Sequence, residues 1–132
     1  MKAFLICPVR GHEETEFQPY VDQLKEVGFV VHFPPRDTDQ IDPTGTGYKI
    51  CQANRAAIEA ADVVFIVWNG ESQGSIFDLG MAFAMGKRII PLSLPELTAH
   101  KSFQNMLTHM DQLQKLDDSA AFLYAMRNME DY

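Results

Sequence analysis

Apolar residues along the chain follow two alternating patterns. Short unbroken runs, KAFLIC (2–7), FVVHF (29–33), DVVFIVW (62–68) and KRIIPLSL (87–94), predict buried strands. Between them the spacing changes. Phe17, Tyr20, Val21, Leu24 and Val27 recur at i, i+3 and i+4, which predicts a helix stopped by Gly28. Further helices are expected over 48–61 and over 76–86, the latter from the dense run Ile76 to Met85. Residues 36–47, RDTDQIDPTGTG, hold turn and loop residues and predict a mobile connection. From residue 99 onward two more helices are expected, the last capped by Asp117 or Ser119.

Strands alternating with helices imply parallel βαβ units. The expected fold is α/β, a Rossmann-like three-layer sandwich around a mostly parallel sheet of four or five strands. With 132 residues and no repeat or linker, the chain reads as one domain, 1–132, with a single core. In such folds ligands bind beyond the carboxyl ends of the strands. Those ends are residues 7–12, 34–47, 69–75 and 95–102.

Composition narrows the partners. A hydrophobic content of 46% and a charged content of 22% suit a soluble globular protein. The net charge of −7 argues against nucleic acid polymers and anionic membranes as partners. A phosphate would have to be held by a local site against the overall field. No apolar run reaches the ~18 residues of a membrane span, and MKAFLIC is too short for a signal peptide. Cys7 and Cys51 make neither a CxxC pair nor a disulfide framework, which fits a reduced, cytoplasmic setting. His12, His32, His100 and His109 lack short ligand spacings, so no metal site is expected.

Two segments carry candidate chemistry. CPVRGH (7–12) sets a fixed cation, Arg10, and a flexible Gly11 between a strand and a helix. That arrangement suits an anion site, or else an ordinary turn with a solvated arginine. In NGESQGSIFD (69–78), Ser72, Gly74 and Ser75 can cap the next helix or hold a ligand. Asp78 then falls in the first helical turn, where an acid gains ~0.3–1 kcal/mol from the helix dipole. Ser75 and Asp78 also have the spacing of a capping box. A reactive carboxylate is the competing reading, and the pattern alone leaves both open. Trp68 and Asn69 can flank a planar ligand or simply pack. The methionines at helical spacings are most simply core.

Residues 50–89, ICQANRAAIEAADVVFIVWNGESQGSIFDLGMAFAMGKRI, resemble the signature of the nucleoside 2-deoxyribosyltransferase superfamily. The shared pattern is a polar residue on a helix, AD with an apolar strand, S-x-G, an acid-Leu-Gly-x-Ala helix, then KRI. The nearest branch is that of the 2'-deoxynucleoside 5'-monophosphate N-hydrolases, because VRGH (9–12) is similar to its phosphate-binding Arg-Gly loop. The similarity runs over 50–95, more loosely over 1–30, and hardly touches the C-terminal third.

The resemblance implies a cofactor-free enzyme acting on a small nucleoside or nucleotide. Asp78 matches the acid that attacks the anomeric carbon and displaces the base, with water or a second base resolving the glycosyl-enzyme. Arg10, Gly11, Ser72 and Gly74 match the loops that hold the 5' end. Ser102 matches a phosphate-binding serine supplied by a neighbouring subunit, which implies a homodimer. Asn54 stands where the family has an aspartate that helps protonate the leaving base; an amide can orient a sugar but cannot deliver that proton. Phe4 replaces a tyrosine, Pro8 and His12 replace small residues, and Asp78 itself is one methylene shorter than the family's glutamate. His12 is either a second cation, a substitute proton donor, or a polar loop residue. These departures leave a rival expectation, a catalytically inactive nucleotide-binding or regulatory module. Base identity, ribose against 2'-deoxyribose, and hydrolysis against transfer stay open, since base contacts fall in variable loops such as 34–47.

Overall fold

The computed structural model describes residues 1–96 and 104–115. The chain divides into two units, Met1–Glu96 and Leu97–Tyr132. In the first, β1 (Lys2–Ile6), α1 (Glu14–Glu26), β2 (Val30–His32), α2 (Pro34–Asp37), α3 (Tyr48–Ala60), β3 (Val63–Val67), α4 (Gln73–Ala84) and β4 (Arg88–Ser93) follow one another. In the second, a helix, α5, spans 104–115. Ser102, Asp117 and Ser119 lie outside the described residues.

Among the described residues the sheet has four strands, all parallel, in the order β2-β1-β3-β4. Alternation along β1 explains the layers. Ala3, Leu5 and Cys7 join Phe17, Val21 and Leu24 of α1 in one buried cluster. Phe4 and Ile6 point to the other face, where α3 and α4 pack on β1 and on each other. Helices on both faces of a parallel sheet make the three-layer α/β fold.

Strand order also fixes where a ligand can sit. The chain leaves β1 for one outer strand through α1, and β3 for the other through α4. Right-handed crossovers send those helices to opposite faces. The connections therefore part at the carboxyl ends of β1 and β3, the topological switch point.

Three expected boundaries are corrected. α4 begins at Gln73, not 76, because Ser72 is its N-cap: its Oγ accepts the Ser75 N–H at 3.2 Å. Ser75 is thus inside the helix rather than its cap, and Asp78 stands in the second turn. α1 begins at Glu14, three residues ahead of its first apolar position, with acids in its first turn. Residues 36 and 37 are not loop. Pro34 and Pro35, with φ preset for a helix start, open α2, and Asp37 accepts the Phe33 N–H at 2.8 Å. The turn leaves Thr38 buried.

Candidate active site

A cleft of about 590 Å³ opens at the switch point, inside the ~300–1,000 Å³ range of small-molecule sites. The β1 loop lines it with Arg10 and His12, the β3 loop and α4 with Ser72, Gly74, Ser75 and Asp78, and α3 with Cys51 and Asn54. Five separate predictions thus meet in one place: Arg10, His12, Asn54, the Ser72–Gly74 turn and Asp78. Gly11 shapes the loop rather than lining the cleft. Its φ of 79° lies in the left-handed region, where a side chain is strained, and His12 N–H closes the turn on the Val9 carbonyl at 3.2 Å.

Asp78 is the unusual group. Burial pushes its carboxyl up to about 7, and the hydrogen bond from Asn54 opposes the rise. This corrects the expectation that a helix N-terminus keeps it ionised. In the second turn it is past the reach of the terminal amides, whose effect fades within one turn. The result is a carboxyl that changes charge near neutrality, which suits a general acid or base. Its neighbours do not compete. Cys7 is pushed up to about 12 by burial and by the Asp78 charge. The Cys51 thiol is raised by burial, by Asp78 and by Asp42. Both thiols therefore stay protonated near neutral pH.

The cation and several of the hydrogen-bond donors of the cleft lie on its loops. Arg10 is exposed on the β1 loop. Ser72 Oγ accepts the Ser75 N–H in capping α4, which leaves its own hydrogen to donate. Asn69 Oδ1 accepts the N–H groups of Glu71 and Ser72, both at 2.9 Å, and so fixes this turn beside the first amides of α4. His12 directs Nδ1 at Glu16, 2.7 Å away, and tilts against Phe17. Glu16 sits beside any charge His12 brings. Trp68, by contrast, is packed, with 5% exposure. Among the described residues no group of three or more His, Cys, Asp or Glu side chains converges to hold a metal ion. No described helix is long and apolar enough to cross a membrane.

Sequence reasoning missed Thr38. Its Oγ1 donates to Asn54 Oδ1 at 2.7 Å, which turns the Asn54 amide nitrogen toward Asp78 Oδ2, 3.5 Å away. A threonine in a loop of turn residues gives no periodic signal. It matters because Asn54, on α3, comes to meet it.

The profile of the Nucleoside 2-deoxyribosyltransferase family matches residues 4–122. The chain belongs to this family. No curated protein matches it by sequence. Among solved structures it is similar to 2-deoxyribosyltransferase from the psychrotolerant bacterium Bacillus psychrosaccharolyticus: TM-score 0.62, 19% identity, covering 83% of this chain and 82% of that one. It is also similar to the Clostridium botulinum CMP N-glycosidase BcmB: TM-score 0.53, 24% identity, 89% of this chain and 99% of that one. At such identities the likeness speaks for the fold.

Two departures of this nucleoside 2-deoxyribosyltransferase family member are resolved in physical terms. Phe4, where the resemblance expects tyrosine, is fully buried and stacks on His32 with centroids 5.3 Å apart and planes at 8°. It packs and does not line the cleft. Asn54, where aspartate is expected, is itself buried and engaged on both sides of its amide. A second carboxylate there would have stood against Asp78 in a desolvated site.

Proposed function

We propose that the protein cleaves the N-glycosidic bond of a nucleoside or nucleoside 5'-monophosphate through Asp78. The observation that carries this reading is a buried carboxyl, poised near pH 7, in a cleft shared with Arg10 and Ser72. Asp78 attacks C1' from the face opposite the base, the C1'–N bond breaks, and its electron pair leaves with the base. The base takes a proton from solvent, since Asn54 has none to give. Water then attacks C1' of the glycosyl ester, frees the Asp78 carboxylate and leaves its own proton to solvent. A second base in place of water would complete a transfer.

Asn54 orients Asp78 or the sugar, while Arg10, the Gly11 turn, Ser72 and Gly74 hold the 5' end. A 5'-phosphate is supported by the fixed cation beside donating groups. The CMP N-glycosidase among the similar structures makes cytidine 5'-monophosphate the first substrate to test. A homodimer belongs to the same proposal. Tyr48, Ile76, Phe77 and Phe83 are exposed by 62%, 46%, 55% and 58%, and Asp78 is the sole charged residue in α4. An apolar, charge-poor face of this kind suits a second copy of the chain.

The test is chromatographic. Wild type and Asp78→Ala are incubated with ribo- and deoxyribonucleosides and their 5'-monophosphates, and free base is measured. Base released by the wild type and abolished by the substitution supports the proposal. The absence of an acid at position 54 favours a second reading, a nucleotide-binding module without turnover; saturable nucleotide binding with no base released would decide for it.

A further inference from the structure

Behind Asp78 a line of hydrogen bonds runs from the cleft into the protein. Asn54 Nδ2 faces Asp78 Oδ2, Thr38 Oγ1 donates to Asn54 Oδ1, and His32 Nε2 lies 3.0 Å from Thr38 Oγ1. Thr38 and Asn54 are 4% and 7% exposed, so these groups must satisfy one another.

Counting hydrogens gives the line a direction. A hydroxyl has one hydrogen. Thr38 gives it to Asn54, so toward His32 it can only accept, and His32 must carry its hydrogen on Nε2. With its oxygen satisfied, Asn54 has only its NH₂ to offer Asp78, which suits a carboxylate. The reversed line, from Asp78 to His32, is also self-consistent, but it requires Asp78 protonated and His32 with its hydrogen on Nδ1. Burial lowers the affinity of His32 for a second proton, with Asp37 opposing and Arg36 acting in the same sense as burial. Stacking on Phe4 holds its ring in plane.

We infer that Thr38 and His32 are positioning residues, which lock the Asn54 amide with its donor on the Asp78 carboxylate. The inference rests on the reading of Asp78 as nucleophile given above, but its test does not. The titratable groups that bear on Asp78 are Cys7 at the end of β1 and Cys51 on α3; Arg10, His12 and Glu71 line the same cleft. Neither thiol ionises near neutrality, so the Asn54 donor is what a Thr38 substitution disturbs.

The decisive measurement is a ¹³C NMR titration of the Asp78 carboxyl. Thr38→Val frees the amide to turn over and raises the midpoint by about 0.5–1 pH unit, the worth of one hydrogen bond. Thr38→Ser, which keeps the hydroxyl, leaves it in place. In an Asn54→Ala background Thr38→Val has no further effect. In the unaltered protein above pH 8, ¹⁵N shifts show His32 neutral with its hydrogen on Nε2. With an active enzyme, Thr38→Val lowers kcat severalfold at constant KM and Thr38→Ser restores it. An unmoved Asp78 midpoint in folded Thr38→Val, or a wild-type His32 with its hydrogen on Nδ1, overturns the inference. If wild type releases no base from any substrate, the glycosidic reading fails, and the two NMR measurements still decide this one.

Discussion

The Asn54 amide nitrogen stands 3.5 Å from the Asp78 carboxylate, at the long limit of a hydrogen bond. A short, charge-assisted bond would hold the acid low. This one does not, and burial prevails. The carboxyl therefore changes charge in the range where an N-glycosidic enzyme would work.

The first prediction concerns pH. A nucleophile must be ionised, so kcat/KM for base release rises tenfold per pH unit below about 7 and levels off above it. A profile measured from pH 5 to 9 checks this. An acid limb centred near 4 would show an ordinary surface carboxylate.

The same rise has a sign for stability. The folded value, about 7, lies above the ordinary 3.8, so the folded state prefers the protonated acid. Its contribution to stability is intact below pH 4 and is lost progressively between pH 4 and 7, because the unfolded chain ionises there while burial keeps the folded carboxyl protonated. Asp78→Asn removes that cost while keeping shape. It should be more stable than wild type by about 1–3 kcal/mol at pH 8 and nearly equal at pH 4, by denaturant melts, while base release is abolished.

Asn54→Asp should restore the family's acid at a price in ionisation. Two carboxyls in one desolvated site share their protons. The acid limb of the activity profile should move upward by about one pH unit or more. An unshifted limb would mean that the two side chains do not interact.

Arg10→Ala separates phosphate recognition from chemistry. A charge-assisted contact of about 1.5–3 kcal/mol corresponds to a KM for nucleoside 5'-monophosphates raised about 10- to 100-fold. Nucleosides lacking the phosphate should be affected less than threefold. Equal effects on both would remove Arg10 from the 5' site.

Phe83→Glu tests association. Phe83 is 58% exposed on α4 and outside the cleft. A charge there should shift sedimentation from dimer to monomer without unfolding the chain. A wild type that sediments as a monomer at micromolar concentration refutes the homodimer.

Much of the fold was legible in the sequence for one reason: buried parallel strands are unbroken apolar runs. DVVFIVW became β3 and YKICQANRAAIEA became α3 with scarcely a boundary error. The cleft was legible in part, because the rule that ligands bind beyond the carboxyl ends of the strands needs only element order, whereas the switch point needs the strand order of the sheet. The start of α4 was misplaced because Ser72, Gln73 and Gly74 have the composition of a loop, and capping is decided by which serine oxygen faces which N–H. Thr38 and the ionisation of Asp78 lay beyond reach for a deeper reason. Both depend on groups brought from distant parts of the chain and on water removed by packing, and neither leaves a periodic trace.

The strand order has a consequence for inheritance. The cavity exists because two neighbouring connections diverge, not because any residue in it reacts. Side chains inside the cleft can therefore change while the divergence of the two connections, which makes the hollow, stays in place. On this scaffold the vessel and the chemistry done in it are thus separable properties.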